Sequence, residues 1–433
     1  MTWKRMLAGV AVLGMVACGG GGDSGTNPTN RAPNVAFTFK PLATAKNVPV
    51  DLTITATDED DDPLTISWTV TRGSLAAQNS KKTIMRWTVP ATVGVDTVNV
   101  SVTDGTATKK VSAQIAVANI YSNAGIFLKS LSPYILTTAT NGRLTVGENT
   151  TLTIQAGTEI YINSAGVIID VLGKLEAHGT VDEPIIIRHN DRTFTCGESN
   201  SGWKGIQVSH NAGAINPGTA DLEYVELWYP TDGVVEQDST RVTMKNCSVR
   251  CSGHTSVWML GSGGLFLTDS KFTDGAGDGL SIDGIASAPD SVIVEGCMFS
   301  FNNGSGIRMD LRNDTKSAVI NVEYSDFQFN STHGITLAHS VFPQIHNNNF
   351  SGNGDSGISN LYLQSGYPGV AHACLDATCN FWGNSSQNAI DIGIHDSLDQ
   401  STVHTRVKSC PWLNSNPLTS TPNCSTANCV SCP

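Results

Sequence analysis

Hydrophobic and polar positions alternate with period two through most of this chain. Leu52, Ile54 and Ala56 share one face of an extended segment. So do Leu64, Ile66, Trp68 and Val70, and then Val98, Val100 and Val102. Asp104-Gly105 is a hairpin signal ahead of Val111, Ala113, Ile115 and Val117. Short strands separated by turns over residues 34–118 predict a β-sandwich.

Beyond residue 118 the pattern becomes a repeat. Phe272, Phe299, Phe327 and Phe350 are each followed seven residues later by a Gly and then Leu or Ile: Gly279-Leu280, Gly306-Ile307, Gly334-Ile335 and Gly357-Ile358. The steps between successive Phe residues are 27, 28 and 23, so the block is constant while the connection varies. A solenoid has this signature, because strands stack in register and turns absorb insertions. Coils of about three short strands, stacked at ~4.8 Å, are expected. Trp382 and Trp412 are placed to close the C-terminal end, with a Cys-rich tail over residues 414–433.

Upstream, Leu152-Thr153-Ile154, Gly173-Lys174-Leu175, Gly179-Thr180 and Gly202-Trp203-Lys204-Gly205-Ile206 follow in order, and Asn380-Phe381-Trp382-Gly383 comes near the end. These residues resemble coils of bacterial surface proteins of the pectate-lyase-like superfamily, chiefly its non-enzymatic branch. That resemblance covers roughly residues 121–413 and implies a right-handed parallel β-helix over residues 119–413. The segment from Ala56 to Trp68, with Asp58-Glu59-Asp60-Asp61-Asp62 inside it, and Val102-Thr103-Asp104-Gly105 resemble cadherin-like and polycystic-kidney-disease-type repeats. That likeness implies an immunoglobulin-like sandwich over residues 34–118. The expected fold class is all-β, with the sandwich preceding the β-helix.

The N-terminus changes the picture of where the protein works. Lys4 and Arg5 precede an apolar run from Met6 to Ala17, far short of the roughly 20 residues a membrane span needs, so residues 1–17 read as a secretory signal. Met15-Val16-Ala17-Cys18 resembles a bacterial lipobox, which implies lipidation at Cys18. The other reading is an ordinary cleaved signal with a chance Cys. Residues 18–33, rich in Gly, Ser, Asn and Thr, read as a flexible tether. No Asp follows Cys18, which points to the outer membrane or cell surface, with the lipid as the only membrane contact.

A formal charge of −12 without a basic stripe makes a poor nucleic-acid binder. There are 11 Cys, and with Cys18 lipidated the even remainder suits disulfides in an oxidising compartment. Zinc ligation by pairs such as Cys247/Cys251 or Cys374/Cys379 is the alternative.

Candidate chemistry falls into three groups. Asp58, Asp60 and Asp62 crowd oxygen ligands of the kind Ca²⁺ takes, against a plain solvated turn. Asp232 and His254 sit in Thr231-Asp232-Gly233 and Gly253-His254-Thr255, which partly resemble polygalacturonase motifs although the paired aspartates between them are missing. With Asp274, Asp278 and Asp283, these carboxylates are acid/base or calcium candidates, or else turn caps. Trp228 and Tyr229, which end a stretch read as a strand from Leu222 to Leu227, are candidates for an exposed sugar-stacking patch extended by Trp203 and Trp258; packing at the edge of the core is the other reading.

Three functions follow. The first is a lipid-anchored surface rod that binds polysaccharide without catalysis. The second is a divergent polysaccharide lyase or glycoside hydrolase. The third is a purely structural envelope protein.

Overall fold

The structure is a computed structural model that describes residues 30–120, 125–137, 142–190, 195–197, 202–211, 216–237, 239–284, 291–311, 319–339, 343–354, 361–363, 374–383, 386–396, 406–409, 412–413, 415–417 and 424–425. The segments expected to be a signal sequence and tether, with Cys18, and most of the Cys-rich tail lie outside them.

The N-terminal part is two facing sheets. One holds Asn34–Phe39, Val50–Thr57, Ile84–Thr88 and Ser74–Ala77; the other holds Thr65–Val70, Gly94–Thr103 and Thr108–Ile120, all antiparallel. The alternating residues meet between them: Leu52, Trp87, Val98 and Ile115 in one cluster, Ile54, Ile66, Val100 and Val102 in the other. Inside this layer Arg72 grips the fully buried Asp96 with two 2.9 Å bonds, which satisfies a charge that burial would otherwise penalise.

The last sandwich strand does not stop at the expected boundary at residue 118. Asn119 and Ile120 pair in parallel with Tyr134 and Ile135 of the first coil, so one 13-stranded sheet runs through both parts. Ala43–Ala45 adds in parallel to Ala116–Ala118, and Ala45, Ala118 and Ile135 pack together. The sandwich thereby extends the third-face sheet past the first coil, so that this edge is not left open to other chains.

The solenoid is a parallel β-helix with three faces. Arg143–Val146, Thr151–Gln155 and Glu159–Ile162 begin the first, second and third faces of the regular coils, and each pairs in parallel with the equivalent strand of the next coil. Between second and third faces the chain turns on a single left-handed residue: Asn246, Asp269, Gly296, Tyr324 and Asn347 in successive coils. A second left-handed column starts the turn from third to first face, at Cys251, Asp274, Phe301, Phe329 and Gly352. Asn, Asp and Gly accept this conformation readily.

The repeat seen in sequence is a set of interior columns. Phe272, Phe299, Phe327, Phe350 and Trp382 stack ring on ring at 5.1, 5.3, 4.9 and 4.8 Å. Beside them Asn302, Asn330 and Asn353 form a buried amide ladder, with Nδ2 donating to the next Oδ1 at 2.9 and 3.0 Å. The invariant Gly makes room for both: a Cβ on Gly306 would lie 2.7 Å from the Phe327 ring and 3.1 Å from Asn330 Nδ2.

The cysteines depart from the expectation of full pairing. Cys247 and Cys297 are buried free thiols. They occupy one corner column with Ser270, Ser325, Asn348 and Asn380, where each thiol donates to the carbonyl two residues back, as the Ser hydroxyls do. Cys251 instead pairs with Cys196. Cys247 and Cys251 therefore form neither a disulfide nor a zinc pair: Cys247 points into the core, and Cys251 sits on the left-handed corner. At the far end Trp412–Leu413 pairs antiparallel with Cys424–Ser425.

Candidate functional site

On the first face, outward side chains of neighbouring coils fall into rows. One row reads Val235, Trp258, Ser281, Arg308, Thr336 and Tyr362. Half-buried Trp258 reaches to the next coil, where its Nε1–H donates to Asp283 Oδ2 at 2.7 Å. Arg308, one coil further, bonds Asp283 at 2.7 Å and Asp310 at 2.9 Å. Ser281 adds its hydroxyl to Asp283 at 3.1 Å. Each polar group here is fixed by another, which is how a binding surface keeps its donors and acceptors in place.

The turn leading into this face carries a second row. Asp232, Thr255, Asp278 and Ser305 each lie two residues before a first-face strand. Asp232 Oδ1 accepts from Thr255 N at 3.3 Å, and Asp278 Oδ1 accepts from Ser305 N at 2.7 Å, so the two aspartates do the same job two coils apart. Between them stands His254, exposed, whose Nδ1–H donates to Asp232 Oδ1 at 2.8 Å and whose ring meets Trp258 edge-on at 5.3 Å. Burial holds the Asp278 carboxyl above its usual range, against the pull of the Ser305 N–H and of Arg308. The Cys196–Cys251 disulfide and the bond from Asn303 Nδ2 to Gly197 O at 2.8 Å pin an earlier segment across this turn region.

Two expected sites thus converge and one dissolves. Asp232, Asp278, Asp283 and Trp258 are brought into one cluster. Asp274 is not part of it: it is a left-handed corner residue that accepts from Thr273 Oγ1 at 2.9 Å. The aromatic patch is corrected. Trp203 is fully buried, with Nε1 donating to Trp228 O at 3.2 Å, and it bridges in parallel to Pro230 where Gly202 lies hard against the Tyr229 backbone. Trp228 lies on the third face, away from Trp258, and guanidinium groups of Arg188 and Arg250 sit 5.6 and 5.1 Å from its ring centre. Its two neighbouring coils therefore occupy the faces a sugar would need. Tyr229 is a left-handed corner residue beside it, 6.3 Å between ring centres.

Sequence reading missed Arg308 and Asp310. The signal was present: they stand two and four residues after Gly306, as Ser281 and Asp283 stand after Gly279. It also missed the exposed pair Phe301 and Phe329, which stack on each other at 5.2 Å and so present edges rather than faces.

In the sandwich, Asp58, Asp60 and Asp62 bring one carboxylate oxygen each within 4.8 Å of the others. Asp58 Oδ1 accepts from the backbone N–H of Asp60 and Asp62, while its Oδ2 is buried without a hydrogen bond. Such an orphaned oxygen fits a Ca²⁺ site, in which these three residues would hold the ion and the ion would stiffen the loop.

The family described as "Right handed beta helix region" matches residues 204–368, a stretch that contains the whole first-face cluster. No curated protein and no solved structure matches this chain. The match and the parallel three-faced stack together give the solenoid its fold, a right-handed parallel β-helix.

Proposed function

We propose that this protein is a surface-displayed rod that binds a neutral polysaccharide along the first face of its β-helix. The observation that carries the reading is the Trp258–Asp283–Arg308–Asp310 constellation: a half-exposed indole bordered by fixed carboxylates and a guanidinium. An indole offers a flat apolar surface with one polar edge, and sugar hydroxyls need fixed partners around it. Asp232, Asp278, Asp283 and Asp310 outnumber Arg308, whose two terminal nitrogens are already engaged. The site would repel a polyuronate, which favours a neutral glycan. Lipid attachment at Cys18 would hold the rod at the outer membrane or cell surface, with the sandwich at its base.

The test is retention of the purified protein on insoluble neutral glycans (xylan, mannan and β-1,3-glucan) beside polygalacturonate. Retention on a neutral polymer, weakened at least about tenfold by Trp258→Ala and little changed by Trp228→Ala, is expected. Retention on none of them refutes the reading. Cys18→Ser is expected to move the protein from the membrane fraction to the soluble one.

A further inference from the structure

We infer that a cleft where the second face of the β-helix turns into the third binds a zwitterionic dipeptide. The site is independent of the glycan reading, because its residues lie on the third face and its corner rather than on the first.

The floor of the cleft is a strip of third-face sheet. Glu226, Ser248 and Lys271 stand in one outward row on successive coils. Arg250 follows Ser248 on the same strand, and Asp269 is the left-handed corner residue just before the Lys271 strand. Val181, Pro184 and Tyr224 line the corner side. The cleft measures about 290 Å³, at the small end for ligand sites, so it suits a small molecule.

Two cations and two carboxylates line this space, and among the described residues no ion pair joins any of them. On the neighbouring second face the same residue types close on each other, Lys174 with Glu176 at 2.6 Å and Lys245 with Glu223 at 3.1 Å. Trp228 keeps the cleft charges apart. Its Nε1–H donates to Glu226 Oε2 at 3.1 Å, and its ring centre lies 5.1 Å from the Arg250 guanidinium. Arg250 Nε donates in addition to Ser248 Oγ at 3.2 Å, which leaves its terminal nitrogens for a ligand. One indole thus fixes one charge of each sign in advance of binding.

The planar fork of Arg250 matches a carboxylate, and Lys271 adds a second positive charge. Glu226 and Asp269 can accept from an ammonium. A ligand charged in one sign only, such as phosphate or a polyuronate, would meet the opposite pair as repulsion. The spacing favours a dipeptide over a single amino acid. Glu226 and Lys271 are two coil steps apart, about 10 Å at the backbone, and two extended residues span about 7 Å. The ammonium and carboxylate of one amino acid sit on a single carbon and cannot reach both ends. An apolar peptide side chain would cover Val181, which is otherwise exposed.

The experiment is isothermal titration calorimetry of the purified protein with glycyl-L-leucine. One saturable site per chain is expected, with a Kd of about 1 mM or tighter. N-acetyl-glycyl-leucine lacks the ammonium and glycyl-leucinamide lacks the carboxylate. Each should bind at least about tenfold more weakly, as should L-leucine and inorganic phosphate. Glu226→Gln and Arg250→Met should each weaken the dipeptide at least about tenfold. Trp228→Ala should do the same although it removes neither charge, because Trp228 is a positioning residue. Trp228→Phe keeps a ring beside Arg250 and should lose less, and Trp258→Ala should match the parent. Thermal melts check that the variants fold. Glu226→Gln can still accept from Trp228, so it tests the site even where Arg250→Met does not fold. No binding at about 10 mM dipeptide, equal affinity for a blocked peptide, L-leucine or phosphate, or full affinity in Glu226→Gln overturns the inference. Retention on glycans is untouched by any of these outcomes.

Discussion

Asn190 and Ala43, far apart in sequence, exchange two hydrogen bonds: Ala43 N donates to Asn190 Oδ1 at 2.5 Å, and Asn190 Nδ2 donates to Ala43 O at 2.6 Å. The Asn190 backbone carbonyl also accepts from Leu42 N at 3.0 Å. One solenoid residue thus completes the backbone pairing of the sandwich segment laid against the first coils. Asn190→Ala leaves both Ala43 groups unpaired in a buried site. A loss of about 2–4 kcal/mol is expected, read as a lower midpoint in urea and faster amide exchange over residues 42–45. A solenoid expressed without residues 30–118 should aggregate, because its first parallel strands lose their cover.

The Gly column makes a sharper test of packing. At Gly306 a Cβ would also lie 2.6 Å from Gly334 O. Neither a backbone carbonyl inside a ladder nor a ring stacked on both sides can yield, so Gly306→Ala should cost about 3 kcal/mol. Gly166 has only Ser164 Oγ, at 3.9 Å, within reach of an added Cβ. Gly166→Ala should be within about 0.5 kcal/mol of the parent. Equal melting temperatures for the two variants would refute the ladder argument.

The solenoid was legible because its interior repeats. Phe272, Phe299, Phe327 and Phe350 keep one spacing to Gly, and the Asn residues near them are ladder members. The site was less legible because outward parity is reset at each corner. Leu222, Tyr224, Val225 and Leu227 look like one strand, yet the chain turns at left-handed Tyr224, so Thr219–Glu223 and Val225–Trp228 lie on different faces. Trp228 could not be assigned to a face without that corner. His254 and Asp232, by contrast, were visible as motif fragments; what sequence lacked was the coil register that brings them within 2.8 Å.

Burial pushes the thiols of Cys247 and Cys297 up to about 12. The thiolate is the reactive form, so both should be inert to a maleimide at pH 7 in the folded protein. They should react fully once the chain is unfolded in guanidinium. Labelling of either in the native state, or a disulfide between them found by mass spectrometry, would contradict the column packing.

Calcium should act on the sandwich. Titration with Ca²⁺ is expected to raise its melting temperature, and Asp58→Asn with Asp62→Asn to abolish the shift while leaving glycan retention unchanged. Three carboxylates with few backbone ligands make a modest site, so saturation in the range of about 10⁻⁴–10⁻³ M is expected, as in extracellular modules. No shift at 10 mM Ca²⁺ would mean that the cluster is only a solvated turn with Arg31 as its counter-ion, a contact of 2.8 Å to Glu59.

His333 gives the stability a pH dependence whose sign can be worked out. Burial, with a smaller contribution from nearby His395, lowers its pKa from 6.5 to about 4. Its ring stacks on Tyr362 at 4.5 Å, and its Nδ1 is buried without a hydrogen bond. Between pH 6.5 and about 4 the unfolded chain takes up a proton that the folded chain refuses. The stability due to neutral His333 is therefore complete above pH 6.5 and is lost as pH falls towards 4. Carboxyls with raised pKa, Asp278 and Asp326, act in the opposite direction. Comparison with His333→Gln cancels them, since both proteins carry them. The urea midpoint of the parent should fall further than that of His333→Gln between pH 7 and pH 4.5, and parallel curves would place His333 in contact with solvent instead.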